Sequence, residues 1–95
     1  MKAVKVQYTV KPEYVETNKK NIKAVMDKLK SNPVEGMWYK AFLLEDGQSF
    51  MHINISDNQE TMDKINEVEE FNIFRKELKE SDPVSPPKLE NIEMM

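Results

Sequence analysis

Residues 36–56, "GMWYKAFLLEDGQSFMHINIS", decide the fold. Two runs rich in aromatic and aliphatic residues flank Asp46-Gly47, a dipeptide that favours a tight hairpin turn. With a two-residue loop, Glu45 pairs with Gln48 and the numbers of opposed residues sum to 93. Opposed residues share a face of the sheet, so the register sorts the side chains. One face then carries Tyr39, Ala41 and Leu43 with Phe50, His52 and Asn54. The other carries Trp38, Lys40, Phe42 and Leu44 with Ser49, Met51, Ile53 and Ile55. A three-residue loop would scramble this assignment.

Upstream of the hairpin, "AVKVQYTV" (residues 3–10) alternates strictly, with Val4, Val6, Tyr8 and Val10 on one face. That is the period of a strand with one strongly apolar side. The period changes at "KPEYVE". Pro12 suits the first helical position, and Glu13 and Glu16 sit where a helix dipole favours acids. Val15, Ile22, Val25, Met26 and Leu29 follow at helical spacing, so a helix is expected over about 12–30, with "SNP" at 31–33 as its stop. Downstream, "DNQE" at 57–60 reads as a capping box with Asp57 as N-cap, and "NEVE" at 66–69 offers a second. A short helix near 58–65 and a longer one near 67–80 are expected, with Val68, Phe71, Phe74 and Leu78 as the buried stripe of the second. "SDPVSPP" (81–87) reads as a proline-rich connector, and "KLENIEMM" (88–95) as a last strand with Ile92 and Met94 on one face.

The order β-α-β-β-α-β, with right-handed crossovers, predicts an α+β, ferredoxin-like domain spanning 1–95: a four-stranded antiparallel sheet with its helices on one face. Two helices cover one face only, yet both faces of the hairpin are apolar. An uncovered apolar face of that size marks an interface. The pattern therefore predicts a homodimer that packs sheet against sheet.

Composition bounds the function. At 95 residues, 39% apolar and 33% charged, the chain suits one soluble domain. A net charge of −3 with interspersed signs argues against nucleic acid as a partner. Without cysteine there is no disulfide, thiolate chemistry or Cys-ligated zinc. With only Gly36 and Gly47, no glycine-rich phosphate loop can be built. The stretch "MKAVKVQYTV" lacks the apolar core of a signal peptide, and no run reaches transmembrane length, so no membrane partner and a cytoplasmic location are expected.

The stretches "YTVKPEYVETNKKNIKAVM", "YKAFLLEDGQSFMHI" and "EEFNIFRKEL" together resemble the antibiotic-biosynthesis-monooxygenase-like group of the dimeric α/β-barrel superfamily. The likeness covers nearly the whole chain and is one of layout and spacing. It implies ferredoxin-like subunits paired through their sheets into a barrel. Relatives in that group range from cofactor-free oxygenases acting on polycyclic aromatics to haem degraders and binding proteins. The haem-degrading subgroup uses a histidine on a helix, whereas the single histidine of this chain, His52, lies on a strand.

His52 is the first candidate for chemistry, as a group able to take a proton from a phenol or enol near neutral pH. Tyr39 and Asn54, opposite one another in the register, are candidates to orient a substrate oxygen. Phe50 and Trp38 are candidate ligand-binding aromatics, with Trp38 on the opposite face. Each has a packing alternative: His52 as a half-buried strand residue bonded to a neighbour, the aromatics as core or dimer interface. Asn18 reads as a helix-flank residue and Tyr8 as core. One histidine and no cysteine make a poor transition-metal site, so neither metal nor cofactor is expected. None of the five serines lies in a nucleophile elbow. The reading that follows is a small homodimer binding an apolar or aromatic molecule between sheet and helices. The alternatives are a cofactor-independent monooxygenase-like enzyme acting on an aromatic or enolisable substrate, and a purely structural or regulatory dimer.

Overall fold

A computed structural model describes residues 1–95. Strand β1 spans Lys2–Thr9, helix α1 Val15–Ser31, strands β2 and β3 Met37–Leu43 and Ser49–Ser56, helices α2 and α3 Gln59–Asp63 and Glu69–Glu80, and strand β4 Ser85–Ile92. Short 3-10 turns at Pro12–Tyr14 and Lys64–Glu67 lead into α1 and join α2 to α3. The order is the expected β-α-β-β-α-β, with the second helical segment broken in two. The sheet runs β2-β3-β1-β4, and all three pairings are antiparallel.

The hairpin keeps the predicted register: Leu43 faces Phe50, Ala41 faces His52, and Tyr39 faces Asn54. Its loop is longer than two residues. Leu44 N–H donates to the Ser49 carbonyl at 2.8 Å, and Gly47 N–H donates to the Leu44 carbonyl at 3.0 Å. Residues 45–48 thus form the loop. The register survives because the loop gains one residue on each side, which preserves the pairing sum. Gly47 sits at φ +75, a conformation that side chains disfavour. The Asp46 carboxylate ties the loop together, accepting from the Gln48 and Ser49 amides and from the Ser49 hydroxyl. Those bonds, the Ser49 hydroxyl first, hold its pKa below the usual carboxylate value.

The helices cover the face that carries Tyr8, Tyr39, Phe50 and His52. Tyr8, Val10, Val25, Phe50, Phe74 and Leu78 form the buried core, with Ile22, Leu29 and Phe71 packed against it. The outer face stays bare: Trp38 is 46% and Phe42 43% exposed. That bare face has an ordered pattern. Trp38, Ile55, Ala3 and Ile92 form one cross-strand row, Lys40, Ile53, Lys5 and Glu90 the next.

Three local expectations are corrected. The N-cap of α2 is Asn58, whose Oδ1 accepts from Thr61 N–H at 2.8 Å. Asp57 N–H still donates across to the Gly36 carbonyl at 3.0 Å, and the first helical bond runs from Met62 N–H to the Asn58 carbonyl, so the helix starts one residue later than expected. Replacing Asn58 by alanine should destabilise the fold by about 1 kcal/mol, read from urea unfolding, while Asp57→Ala should cost less than half of that. The second capping box does not form. Lys64–Glu67 closes as a 3-10 turn, Val68 precedes α3 without a side-chain cap, and the Asn66 carbonyl accepts from Asn72 Nδ2. Finally, β4 begins at Ser85 and includes Pro86 and Pro87. An edge strand tolerates prolines, and these two sit where the β1–β4 register shifts, between Gln7 and Thr9. Met94 lies beyond the strand.

Candidate functional site

Two helices do not reach across four strands. Every residue of β4 is exposed, and none of α1 lines the space left beside it. The result is a cavity of about 880 Å³ between the sheet and α3. Val4, Val6 and Tyr8 of β1 form its floor, with His52 and Asn54 of β3 and Tyr39 of β2 beside them. Phe71, Phe74 and Leu78 of α3 form the opposite wall, and Met62 closes one end. Leu89 lines the cavity yet is 61% exposed, so the space opens toward β4. The volume is on the scale of small-molecule sites, which run from about 300 to 1,000 Å³.

His52 is 5% exposed and is held at both ring nitrogens. The Tyr8 hydroxyl lies 2.7 Å from Nε2, and the Tyr39 hydroxyl lies 2.6 Å from Nδ1. Behind Tyr8, Asn18 Nδ2 donates to the Tyr8 hydroxyl at 2.9 Å. Four side chains from three strands and α1 therefore make one continuous chain, Asn18–Tyr8–His52–Tyr39. Phe74 stacks on the imidazole with ring centres 5.1 Å apart, and Phe50 stacks on Tyr8 at 5.6 Å. The strand period brings the chain together: Val6 pairs with His52 across β1–β3, placing Tyr8 on the same face one pair along.

Burial dominates the electrostatics. With no charged partner beside it, the imidazole loses solvation on protonation, which depresses the His52 pKa to about 4. Desolvation likewise raises both tyrosines above their ordinary value. The group is neutral at physiological pH. It can accept and donate hydrogen bonds, but burial makes it a weak base. Asn54 accepts from the Ser56 hydroxyl at 2.7 Å through Oδ1, which leaves its Nδ2 free at the cavity floor.

The structure brings His52, Tyr39 and Asn54 to one wall. Phe50 supports them from the core and takes no part in that wall. Trp38 lies on the bare outer face, away from the cavity. Two groups escaped the sequence reading, one behind the cavity wall and one lining it. Asn18 is 0% exposed rather than on a flank. Its spacing carried the signal, because Val15, Asn18, Ile22, Val25 and Leu29 follow the alternating three- and four-residue steps of a buried stripe. Arg75, the single arginine, lines the cavity from α3 and stacks over Phe71, its guanidinium carbon 4.7 Å from the ring centre. No group of three or more His, Cys, Asp or Glu side chains is arranged to hold a metal ion, and no helix is long and apolar enough to cross a membrane.

By sequence, the chain matches no protein-family model and no curated protein. By structure it has many relatives. An antibiotic biosynthesis monooxygenase superposes with a TM-score of 0.83 at 15% identity, covering 100% of this chain and 99% of that one. A Nitrosomonas europaea protein provisionally described as an antibiotic biosynthesis monooxygenase gives 0.83 at 14% identity, over 99% and 89% of the two chains. A conserved protein from Methanosarcina mazei Go1 gives 0.78 at 16% identity, over 100% and 95%. Identities of this size speak for the fold alone, and on that ground the chain has the ferredoxin-like fold of the antibiotic-biosynthesis-monooxygenase-like proteins.

Proposed function

We propose that this protein binds a small, largely apolar or aromatic molecule in the cavity between the sheet and α3. One observation carries the reading: about 880 Å³ of mostly apolar space has Tyr39, His52 and the free Asn54 amide on a single wall. Apolar walls supply affinity, and a few fixed polar groups supply orientation. Thermal denaturation with a panel of quinols, polycyclic aromatic ketones and haem tests it. A ligand at a hundred times its Kd adds about 2.7 kcal/mol of stability. A panel that leaves the melting temperature unmoved removes this reading in favour of a structural or regulatory dimer.

A second reading, cofactor-independent oxygenation of an aromatic or enolisable substrate, has support from the Tyr39–His52 pair and from the names of two structural neighbours. Dioxygen uptake with a polycyclic hydroquinone checks it. The wild type should consume oxygen at least about a hundredfold faster than His52→Gln, the loss typical of a missing acid–base group. Equal rates would leave binding alone.

The bare sheet face supports a homodimer. Its row of Trp38, Ile55, Ala3 and Ile92 and the pair Phe42 and Met51 are apolar, on either side of a row in which Ile53 sits among Lys40, Lys5 and Glu90. Sedimentation equilibrium should give twice the 11.2 kDa chain mass, and Ile53→Glu should return it to the mass of one chain. A wild-type monomer at tens of micromolar would count against the pairing.

A further inference from the structure

The hydrogen-bond chain behind the cavity wall has a direction. We propose that Asn18 is a positioning residue that holds His52 as its Nδ1–H tautomer and so makes the Tyr39 hydroxyl a donor toward the cavity, selecting ligands that present an acceptor oxygen such as an aromatic ketone or quinone. This deepens the ligand-binding reading and rests on it for the ligand class.

Proton counting leads to this arrangement. A neutral imidazole has one N–H and one bare nitrogen, yet a hydroxyl stands at each. Asn18 offers Tyr8 a donor, so the Tyr8 oxygen accepts and its own proton needs an acceptor. The one within reach is His52 Nε2, at 2.7 Å. Nε2 is then bare, Nδ1 carries the proton, and Nδ1–H donates to the Tyr39 oxygen at 2.6 Å. The Tyr39 proton has no partner within the chain, and its residue lines the cavity.

The opposite direction is worse on either placement of the amide. With the amide as it stands, Nε2–H and Asn18 would both donate to Tyr8, and the proton without an acceptor would fall on Tyr8, which is 2% exposed, rather than on the more open Tyr39. With the amide turned, Oδ1 would accept from Tyr8, but the one N–H bond to Tyr8 would be lost and neither amide N–H would have a partner. The structure instead leaves Asn18 Oδ1 buried and unpaired. An under-used carbonyl oxygen is a more tolerable buried defect than an orphaned N–H. The unpaired oxygen follows from the same amide placement that makes Asn18 a donor to Tyr8.

Because His52 is the single histidine, its ring nitrogens can be assigned without ambiguity by long-range 1H–15N correlation at pH 8. The wild type should show a pyrrole-like Nδ1 and a pyridine-like Nε2. The reverse pattern, or a mixture, overturns the proposal. In Asn18→Asp the carboxylate can only accept, so Tyr8 turns toward it and the tautomer should switch to Nε2–H. A folded Asn18→Asp variant that keeps Nδ1–H overturns the role of Asn18, and the wild-type spectrum decides alone should that variant not fold. Two probes of matched shape read the ligand side. Acetylnaphthalene should bind about fivefold tighter than ethylnaphthalene, the worth of one hydrogen bond, and Tyr39→Phe should erase the difference. Equal affinities in the wild type overturn the acceptor selection. If neither probe binds while the tautomer is Nδ1–H, the ligand reading falls and the tautomer assignment stands.

Discussion

Phe50→Ala is expected to destabilise the protein by about 3–5 kcal/mol, the range for removing a buried phenylalanine. Phe50 is 2% exposed and lies against Tyr8 with the rings inclined by 14°. It shares the core with Val25, Phe74 and Leu78, from both long helices, so no single element can collapse into the void. A domain of this size holds about 5–15 kcal/mol of stability in all. The loss should therefore lower the melting temperature by about 4–8 °C for each kcal/mol. Urea unfolding of the two proteins side by side is the measurement. A difference below about 1 kcal/mol would mean that Phe50 is not at the centre of the core.

The second large effect is a loss of stability in mild acid. In the unfolded chain His52 titrates near 6.5, whereas in the fold it is depressed to about 4. Between those values the unfolded state binds a proton that the folded state refuses. Stability from this group is complete above about pH 6.5, falls as pH drops toward 4, and is level below that. The slope approaches about 1.4 kcal/mol per pH unit, and the total is about 3 kcal/mol. Its surroundings offer no compensating charge: Tyr8 and Tyr39 are neutral and Phe74 is apolar. His52→Gln should flatten the dependence across this window. Equal wild-type stability at pH 7 and pH 4.5, or an unchanged slope in the variant, would show that the imidazole charges without penalty. A ligand with an anionic oxygen beside Tyr39 would narrow the same window from below by favouring the imidazolium.

The sheet was legible because its information is local. The sum of 93 that pairs Ala41 with His52 follows from the turn and the alternating pattern, and it survived a change of loop length because that change was symmetric. Capping was less legible, since Asp57 and Asn58 are both good caps and neighbours. The choice between them depends on where cross-strand bonding gives way to the helix, and Asp57 N–H is still bonded across to the Gly36 carbonyl. Pro86 and Pro87 misled for a similar reason: their ban from strands lifts only where no neighbour needs their missing N–H, and β4 is an edge.

By itself the sequence determined the element order, the hairpin register and the company of His52, Tyr39 and Asn54 on one face, because strand period and turn chemistry act within a few residues. Only the tertiary structure decided which of two apolar faces meets the helices, since both faces carry apolar side chains and the difference lies in how α1 and α3 pack on the sheet and on each other. It also decided what His52 is. Tyr8 is 44 residues away and Asn18 is 10 residues beyond Tyr8, distances over which no local pattern reports a hydrogen bond. Desolvation and those two partners turn an isolated histidine into a neutral, directed link beneath a cavity.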